Sequence, residues 1–154
     1  MKIRIELDSD FVEEEIIIKC ASISDDIAKL EKLISAHAKS PATFLFLRDG
    51  KEYFLPVSEV LIFETESSVV YAHFKTEVYR VKQKLYELEN LLPNQFTRVS
   101  KSAIINVDKV MAVTYNIAAT SLVEFRHSHK KVYASRHYYK ELKERLQERI
   151  NYEK

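Results

Sequence analysis

The most informative segment of this chain covers residues 96–106 and has the sequence FTRVSKSAIIN. Its apolar residues alternate with Thr97, Arg98 and Ser100, which predicts a short strand, and residues 103–105 predict a second one. Arg and Lys can neutralise phosphates or bind guanine edges, and Ser and Thr hydroxyls can bind phosphate oxygens. An ordinary amphipathic strand with its polar side chains in water has the same composition, so composition by itself leaves both interpretations open.

On both sides of this segment, short apolar runs and turn residues follow each other from about residue 42 to about residue 135. Many short strands with one small helix predict a mainly β body of the sandwich or barrel-like kind. Asp49-Gly50 between two apolar runs predicts a two-residue hairpin. Leu142, Leu146 and Ile150 predict a C-terminal helix from about His137. The predicted strands are 44–47, 53–55, 60–64, 69–74, 77–81, 96–99, 103–105, 110–115, 122–126 and 130–134, and the predicted internal helix covers 85–92.

The first 41 residues have a different pattern. Alternating apolar residues over 2–7 and a β-branched run over 15–20 predict two strands. Ser22 and Asp25 have capping-box spacing, so a helix is expected from there to about His37, ending before Pro41. We therefore predict a β-β-α extension over 1–41, with a regulatory or dimerisation role, and a second domain over 42–154.

Composition and charge narrow the class of function. Gly50 is the only glycine, which excludes the glycine-rich phosphate loops of Walker and Rossmann nucleotide sites. The net charge of +1 is uneven, because residues 95–154 hold 12 Lys and Arg against 6 Asp and Glu. This C-terminal third would attract a polyanion, although a solvated basic helix explains the same asymmetry.

The sequence offers little that would predict catalysis, metal binding or a membrane span. Cys20 is expected to be a buried, inert thiol. Glu64 and Glu66 are expected in an exposed turn, where neither burial nor a partner would make the pKa values of the two carboxyl groups differ, as an acid/base pair requires. His127 and His129, even joined by His137, lack the ligand set of a closed zinc site. No apolar run approaches the roughly 20 residues of a membrane span. We expect a cytoplasmic protein that is not an enzyme and has no cofactor, metal or small-molecule substrate.

Four sequence blocks occur in the order and spacing of a known family. They are 57–64 (VSEVLIFE), 84–88 (KLYEL), 96–110 (FTRVSKSAIINVDKV) and 132–136 (VYASR). With these blocks, residues 51–147 resemble the LytTR DNA-binding domain of bacterial response regulators. The resemblance implies an elongated stack of small antiparallel sheets, mainly β with short helices, that contacts DNA through loops.

The resemblance also implies roles for particular residues. Ser67 and Ser68 correspond to a loop in one major groove, and Arg136 and His137 to a loop in the next major groove. The intervening minor-groove contact corresponds to Ser100, Lys101 and Ser102. Asn106 corresponds to a structural residue that ties a turn.

A receiver domain needs more residues than the extension offers, so the chain is similar to receiver-less, stand-alone LytTR regulators, some of which pair with a small membrane inhibitor. The expected function is sequence-specific regulation of transcription by a homodimer on direct-repeat sites in double-stranded DNA. The alternative is an interaction module that engages a membrane partner without binding DNA. Single-strand RNA binding on aromatic side chains is a further alternative.

Overall fold

The computed structural model describes residues 2, 4–7, 9–10, 15–38, 42–116 and 120–152. The chain divides into two compact units, Met1–Ser35 and Ala36–Lys154. The α-helices are α1 (Asp25–Ala38), α2 (Leu85–Leu91) and α3 (Tyr139–Tyr152). The strands are β1 (Thr43–Arg48), β2 (Lys51–Pro56), β3 (Ile62–Glu66), β4 (Val69–His73), β5 (Val78–Val81), β6 (Phe96–Ser100), β7 (Ala103–Asn106), β8 (Val110–Thr114), β9 (Thr120–Phe125) and β10 (Lys131–Ser135).

The N-terminal unit corrects three predictions. The described residues of segments 2–7 and 15–20 form no strand, because alternation alone does not supply the neighbouring strand that a ladder requires. The helix is capped by Ser24 and not by Ser22, since the Ile27 amide donates to Ser24 Oγ at 3.3 Å. Cys20 is an exposed free thiol, so its predicted burial was wrong.

Seven antiparallel strands form the larger sheet, in the order β2-β1-β5-β4-β3-β7-β6. The β1–β2 hairpin closes through Asp49 and Gly50, whose φ values are 51° and 73°. Both values belong to the left-handed region that a type I′ turn requires, which confirms the hairpin predicted from Asp49-Gly50. The predicted strands of 42–135 are all present, with bounds that differ by a few residues.

Strand β3 begins at Ile62, later than predicted, because Val57–Glu59 forms a 3-10 turn before it. The buried side chain of Asn106 holds this turn, as its Nδ2 donates to the carbonyls of Ser58 (2.9 Å) and Val60 (3.1 Å). Its Oδ1 also accepts from the Asp108 amide at 3.1 Å. The expectation that Asn106 is a structural residue that ties a turn is confirmed.

Strands β3, β6 and β7 separate two hydrophobic cores. Phe63 and Ile104 pack into one core with α2, whereas Ile62 and Ile105 pack into the other. Every residue of β7 is buried. The two faces of this part of the sheet are therefore both covered, which explains why its sequence is apolar in consecutive positions.

The second core is completed by a three-stranded sheet, in the order β10-β9-β8, and by Leu142 of α3. The β9–β10 turn docks on the β4–β5 turn of the larger sheet. Ser128 Oγ donates to the Lys75 carbonyl (3.3 Å), and Lys130 Nζ donates to the carbonyls of Phe74 (2.7 Å) and Glu77 (3.2 Å). The two sheets, both antiparallel, confirm the predicted mainly β class with short helices, small antiparallel sheets and a C-terminal helix.

Candidate nucleic-acid interface

The β3–β4 turn presents Ser67 and Ser68 to solvent. The turn contains only these two residues, since Glu66 pairs with Val69 across the hairpin. Their φ values are 50° and 67°, the type I′ conformation that Asn and Gly adopt at least cost. Two serines in left-handed backbone are a strained choice, and strain of this kind occurs more often at functional sites than elsewhere.

The β6–β7 turn presents Ser100, Lys101 and Ser102. The Ser102 amide donates to Ser100 Oγ at 3.2 Å, and the two hydroxyl oxygens lie 3.3 Å apart. Lys101 is exposed and forms no ion pair within the described part of the chain. A local network of hydroxyls thus shapes the turn, and its cationic side chain is left to solvent.

The Arg98 side chain stabilises this turn through hydrogen bonds to its backbone carbonyls. Its Nε donates to the Ser100 carbonyl (2.7 Å) and its Nη2 to the Lys101 carbonyl (2.5 Å). Its Nη1 donates to Glu89 Oε1 of α2 at 2.9 Å, and only 18% of the Arg98 side chain is exposed. All three nitrogens have protein acceptors, so Arg98 is a structural arginine and not one of the cations that could face a phosphate.

The two turns lie at the same end of the larger sheet. Strands β3 and β7 are neighbours, with Glu64 opposite Ala103. One residue beyond that pair, the Thr65 amide donates to the Ser102 carbonyl at 2.8 Å. At about 3.3 Å per residue, Ser67 lies only two further strand positions past this bond.

Arg136 and His137 are exposed between β10 and α3. The junction is a tight turn, in which the Tyr138 amide donates to the Ser135 carbonyl at 3.1 Å. The His137 and Tyr138 rings meet edge to face at 4.9 Å. These features fix the backbone while leaving both polar side chains accessible.

The direction of β10 relates this junction to the two hairpin turns. The strand begins at the β9–β10 turn, which is docked on the β4–β5 turn, and therefore runs away from that end of the larger sheet. It packs against β6, and Ala134 shares the second core with Val99. Arg136 and His137 accordingly lie toward the end that carries Lys101.

Several cations of the C-terminal segment donate hydrogen bonds to backbone carbonyls of the fold and are not free to bind a ligand. Lys130 is bound by backbone carbonyls, and burial lowers its pKa in spite of Glu77. On α3, Arg145 donates to the Asn94 carbonyl, and Arg149 donates to the carbonyls of Val107 and Val110. The net charge of the segment therefore overstates the charge available to a ligand. Exposed cations of this segment are Arg136, Lys140 and Lys143 at the junction and the start of α3, and Lys101 on the β6–β7 turn.

Glu64 and Glu66 do not lie in a turn as predicted, because both belong to β3. Burial, and secondarily Glu66, raise the pKa of Glu64. The facing His73 has its Nε2 3.7 Å from Glu64 Oε2, but burial and then Lys130 lower the pKa of His73. A neutral imidazole at this distance makes no strong ion pair, and nothing in the geometry provides a reacting centre.

Other chemistries find little support in the described residues. His127 and His129 are exposed in the β9–β10 turn, and the described part of the chain contains no cluster of three or more His, Cys, Asp or Glu that could hold a metal. Within the same residues, no helix combines the length and apolar character needed to cross a bilayer.

Comparison with known proteins identifies the family. The family model described as the LytTr DNA-binding domain matches residues 50–147. The chain belongs to the LytTr family. A solved LytTr DNA-binding domain from Bacillus cereus has the same fold, with a TM-score of 0.64 and 23% identity, and the match covers 70% of this chain and 98% of that one. The resemblance noted in the sequence is confirmed.

Two relatives from Staphylococcus aureus, strains NCTC 8325 and COL, are named uncharacterized HTH-type transcriptional regulators. Each is 28% identical over 149 residues, which cover 95% of this LytTr chain and 98% of the relative. The description HTH-type does not fit the fold found here. Within the described residues, five strands separate α1 from α2 and five separate α2 from α3, so no two α-helices are consecutive.

The sequence interpretation missed Glu89, Thr65 and the structural role of Arg98. The block 96–110 contains Arg98, but nothing in its spacing distinguishes a cation that binds carbonyls from one that faces solvent. Glu89 lies on the exposed side of a short helix and looks like any solvated acid. Arg98 is partly buried, whereas alternation with the buried Val99 would predict an exposed side chain. The register shift between Arg98 and Ser100, which accompanies this difference, leaves no mark in the residue pattern.

Proposed function

We propose that this LytTr protein regulates transcription by binding specific direct-repeat sites in double-stranded DNA as a homodimer. The observation that carries the proposal is the grouping of exposed turns and free cations at one end of the β unit. Two hairpin turns meet there through the Thr65–Ser102 hydrogen bond, and the β10–α3 junction points to the same end.

The three exposed segments have side chains suited to different contacts. Lys101, with the hydroxyls of Ser100 and Ser102, would bind the sugar-phosphate backbone at the middle of the site. Arg136 can bind a guanine edge through two hydrogen bonds, and His137 can donate or accept one. Ser67 and Ser68 would bring hydroxyls to a base edge or a phosphate. Loops and not a helix would thus enter successive grooves.

The N-terminal extension, proposed to cover 1–41, would serve dimerisation and regulation. The full-length similarity to the staphylococcal regulators includes most of this segment, which supports a role shared by this kind of protein. A small membrane protein that holds the regulator away from DNA is a suitable partner for the extension, and the protein would act in the cytoplasm, where its DNA lies.

The test is a binding titration of the full chain with a labelled duplex from upstream of its own gene and with a random duplex of equal length. We expect preferential binding to the upstream duplex, with log K falling by about 0.9 per neutralised phosphate as log salt rises. Equal affinity for both duplexes would contradict sequence specificity. Retention of a membrane protein without any DNA binding would favour the interaction module, and displacement by single-stranded RNA would favour an RNA-binding protein.

A further inference from the structure

We propose that Glu89 of α2 is a positioning residue for the DNA-contacting turn Ser100-Lys101-Ser102, acting through Arg98. The proposal rests on the function proposed above, since it assigns that turn a contact with DNA. Glu89 itself has no place among the exposed turns. Its Oε1 binds Arg98 Nη1 at 2.9 Å, and the Glu89 side chain is 42% exposed.

The Arg98 guanidinium links α2 to the turn. One nitrogen binds Glu89 while the other two bind the carbonyls of Ser100 and Lys101, at 2.7 and 2.5 Å. The planar guanidinium fixes these acceptors relative to one another, which an ammonium group would not do. Glu89 thereby determines how the guanidinium lies under the turn, and the turn determines where the Lys101 side chain leaves the backbone.

The same connection reaches the neighbouring turn. The Ser102 carbonyl accepts from the Thr65 amide, two residues before Ser67. A shift of the β6–β7 turn would therefore be felt at the β3–β4 turn. Glu89 supports both hairpin turns from a helix that packs on the first core through Leu85 and Leu88.

The direction in which DNA affinity changes when Glu89 is removed distinguishes a positioning role from a general effect of its negative charge. Removing an acid from a DNA-binding protein reduces repulsion of phosphates and should leave binding equal or tighter. Glu89→Ala should instead weaken it. Glu59→Ala is the matched control, because Glu59 is exposed, has no ion pair among the described residues and carries the same charge.

The experiment measures the affinity of the full chain for the upstream duplex in both variants, alone and combined with Lys101→Ala. We expect Glu89→Ala to bind about three- to fivefold more weakly, the range of a partly exposed ion pair, with Glu59→Ala unchanged or tighter. In the Lys101→Ala background most of the Glu89 effect should disappear, because the two residues act through one turn. A Glu89→Ala variant that binds as tightly as Glu59→Ala, or an effect that persists undiminished without Lys101, would overturn the proposal.

A second measurement needs no DNA. Amide exchange at Ser102 and Thr65 should be faster in Glu89→Ala, while the amides of β9 keep their wild-type rates. If the wild-type protein fails to bind the duplex, the proposed function fails, and exchange alone decides the positioning. Unchanged exchange at both amides would refute it.

Discussion

The Thr65 amide donates to the Ser102 carbonyl at 2.8 Å and thereby joins two hairpin turns that are 37 residues apart in sequence. The bond continues the β3–β7 ladder one residue beyond Glu64 and Ala103. The exposed Ser67, Ser68 and Lys101 are therefore parts of one surface and not of separate loops.

Lys101→Ala should weaken binding to all DNA sequences alike, because a lysine on a phosphate is a point charge that carries no base information. The slope of log K against log salt should fall in magnitude by about 0.9, the release of one counterion. Lys51→Ala is the matched control, since Lys51 follows the β1–β2 turn at the opposite end of the sheet, where Arg48 pairs with Glu77. A sequence-dependent loss for Lys101→Ala would contradict a backbone contact.

Arg136→Ala should cost about 1–3 kcal/mol of binding free energy at one base position and little at the others, the range of a bidentate arginine–guanine contact. Binding titrations against duplexes substituted one position at a time would locate that position. Arg126→Ala serves as the control, because Arg126 is exposed in the β9–β10 turn at the far end of the domain. A uniform loss across all duplexes would assign Arg136 to phosphate instead.

Asn106→Ala should destabilise the fold by about 2–3 kcal/mol, because it removes hydrogen bonds to backbone groups of three residues, one of them buried and two part-buried. Those groups are the carbonyls of Ser58 and Val60 and the amide of Asp108. Chemical unfolding would measure the loss. Asn90→Ala, at an exposed helical position, should change stability little, and comparable losses for both variants would argue against the assigned role.

Ser68→Gly should stabilise the fold by about 0.5–1 kcal/mol, since glycine adopts a φ of 67° without the strain that serine bears. Thermal unfolding would show a higher midpoint. Ser135→Gly at the end of β10 should have the opposite sign, because glycine in a strand only adds freedom to the unfolded chain. If Ser68→Gly lowered the midpoint, the serine hydroxyl would have to stabilise the turn more than its strain costs.

His73 gives the fold a pH dependence of defined sign. Burial and Lys130 lower its pKa in the folded state, so the unfolded chain binds the proton more readily. Stability that rests on neutral His73 is complete above the ordinary histidine pKa of about 6.5 and is lost as the pH falls below it. We expect the unfolding midpoint of the wild type to drop more between pH 7.5 and 6 than that of His73→Gln. The unfolding midpoint of His129→Gln, at an exposed position, should drop as much as that of the wild type. If the midpoint of His73→Gln also dropped as much as that of the wild type, the assignment would be refuted.

The strands of the β body could be predicted because they are short, their turns are polar, and several of their ladders are local hairpins, whereas the long-range β1–β5 and β3–β7 pairings leave no mark in the residue pattern. Asp49-Gly50 and the 67–68 turn each join strands that are adjacent in both sequence and space, so pattern and topology agree. The extension was predicted less well. Segments 2–7 and 15–20 alternate like strands, but alternation describes one strand and says nothing about the neighbour it would pair with.

The candidate interface divides in the same way. Lys101 and Arg136 could be proposed from the sequence because they lie within family blocks, and Ser67 and Ser68 because they follow the first block closely. The Glu89–Arg98 pair and the carbonyl contacts of Lys130, Arg145 and Arg149 depend on side chains meeting across the fold. Such contacts leave no periodic signal, and a count of charges treats all cations alike.

Strand β7 is buried on both faces, and its position between two cores has a consequence for how the domain comes apart. Both cores contain side chains of β7, so opening either core would expose apolar side chains of the strand on which the other core also depends. The β unit should therefore melt cooperatively, in one step, with no half-folded species that keeps only one sheet. Proteases would meet either the intact unit or an unfolded chain, so the abundance of such a regulator would follow its global stability.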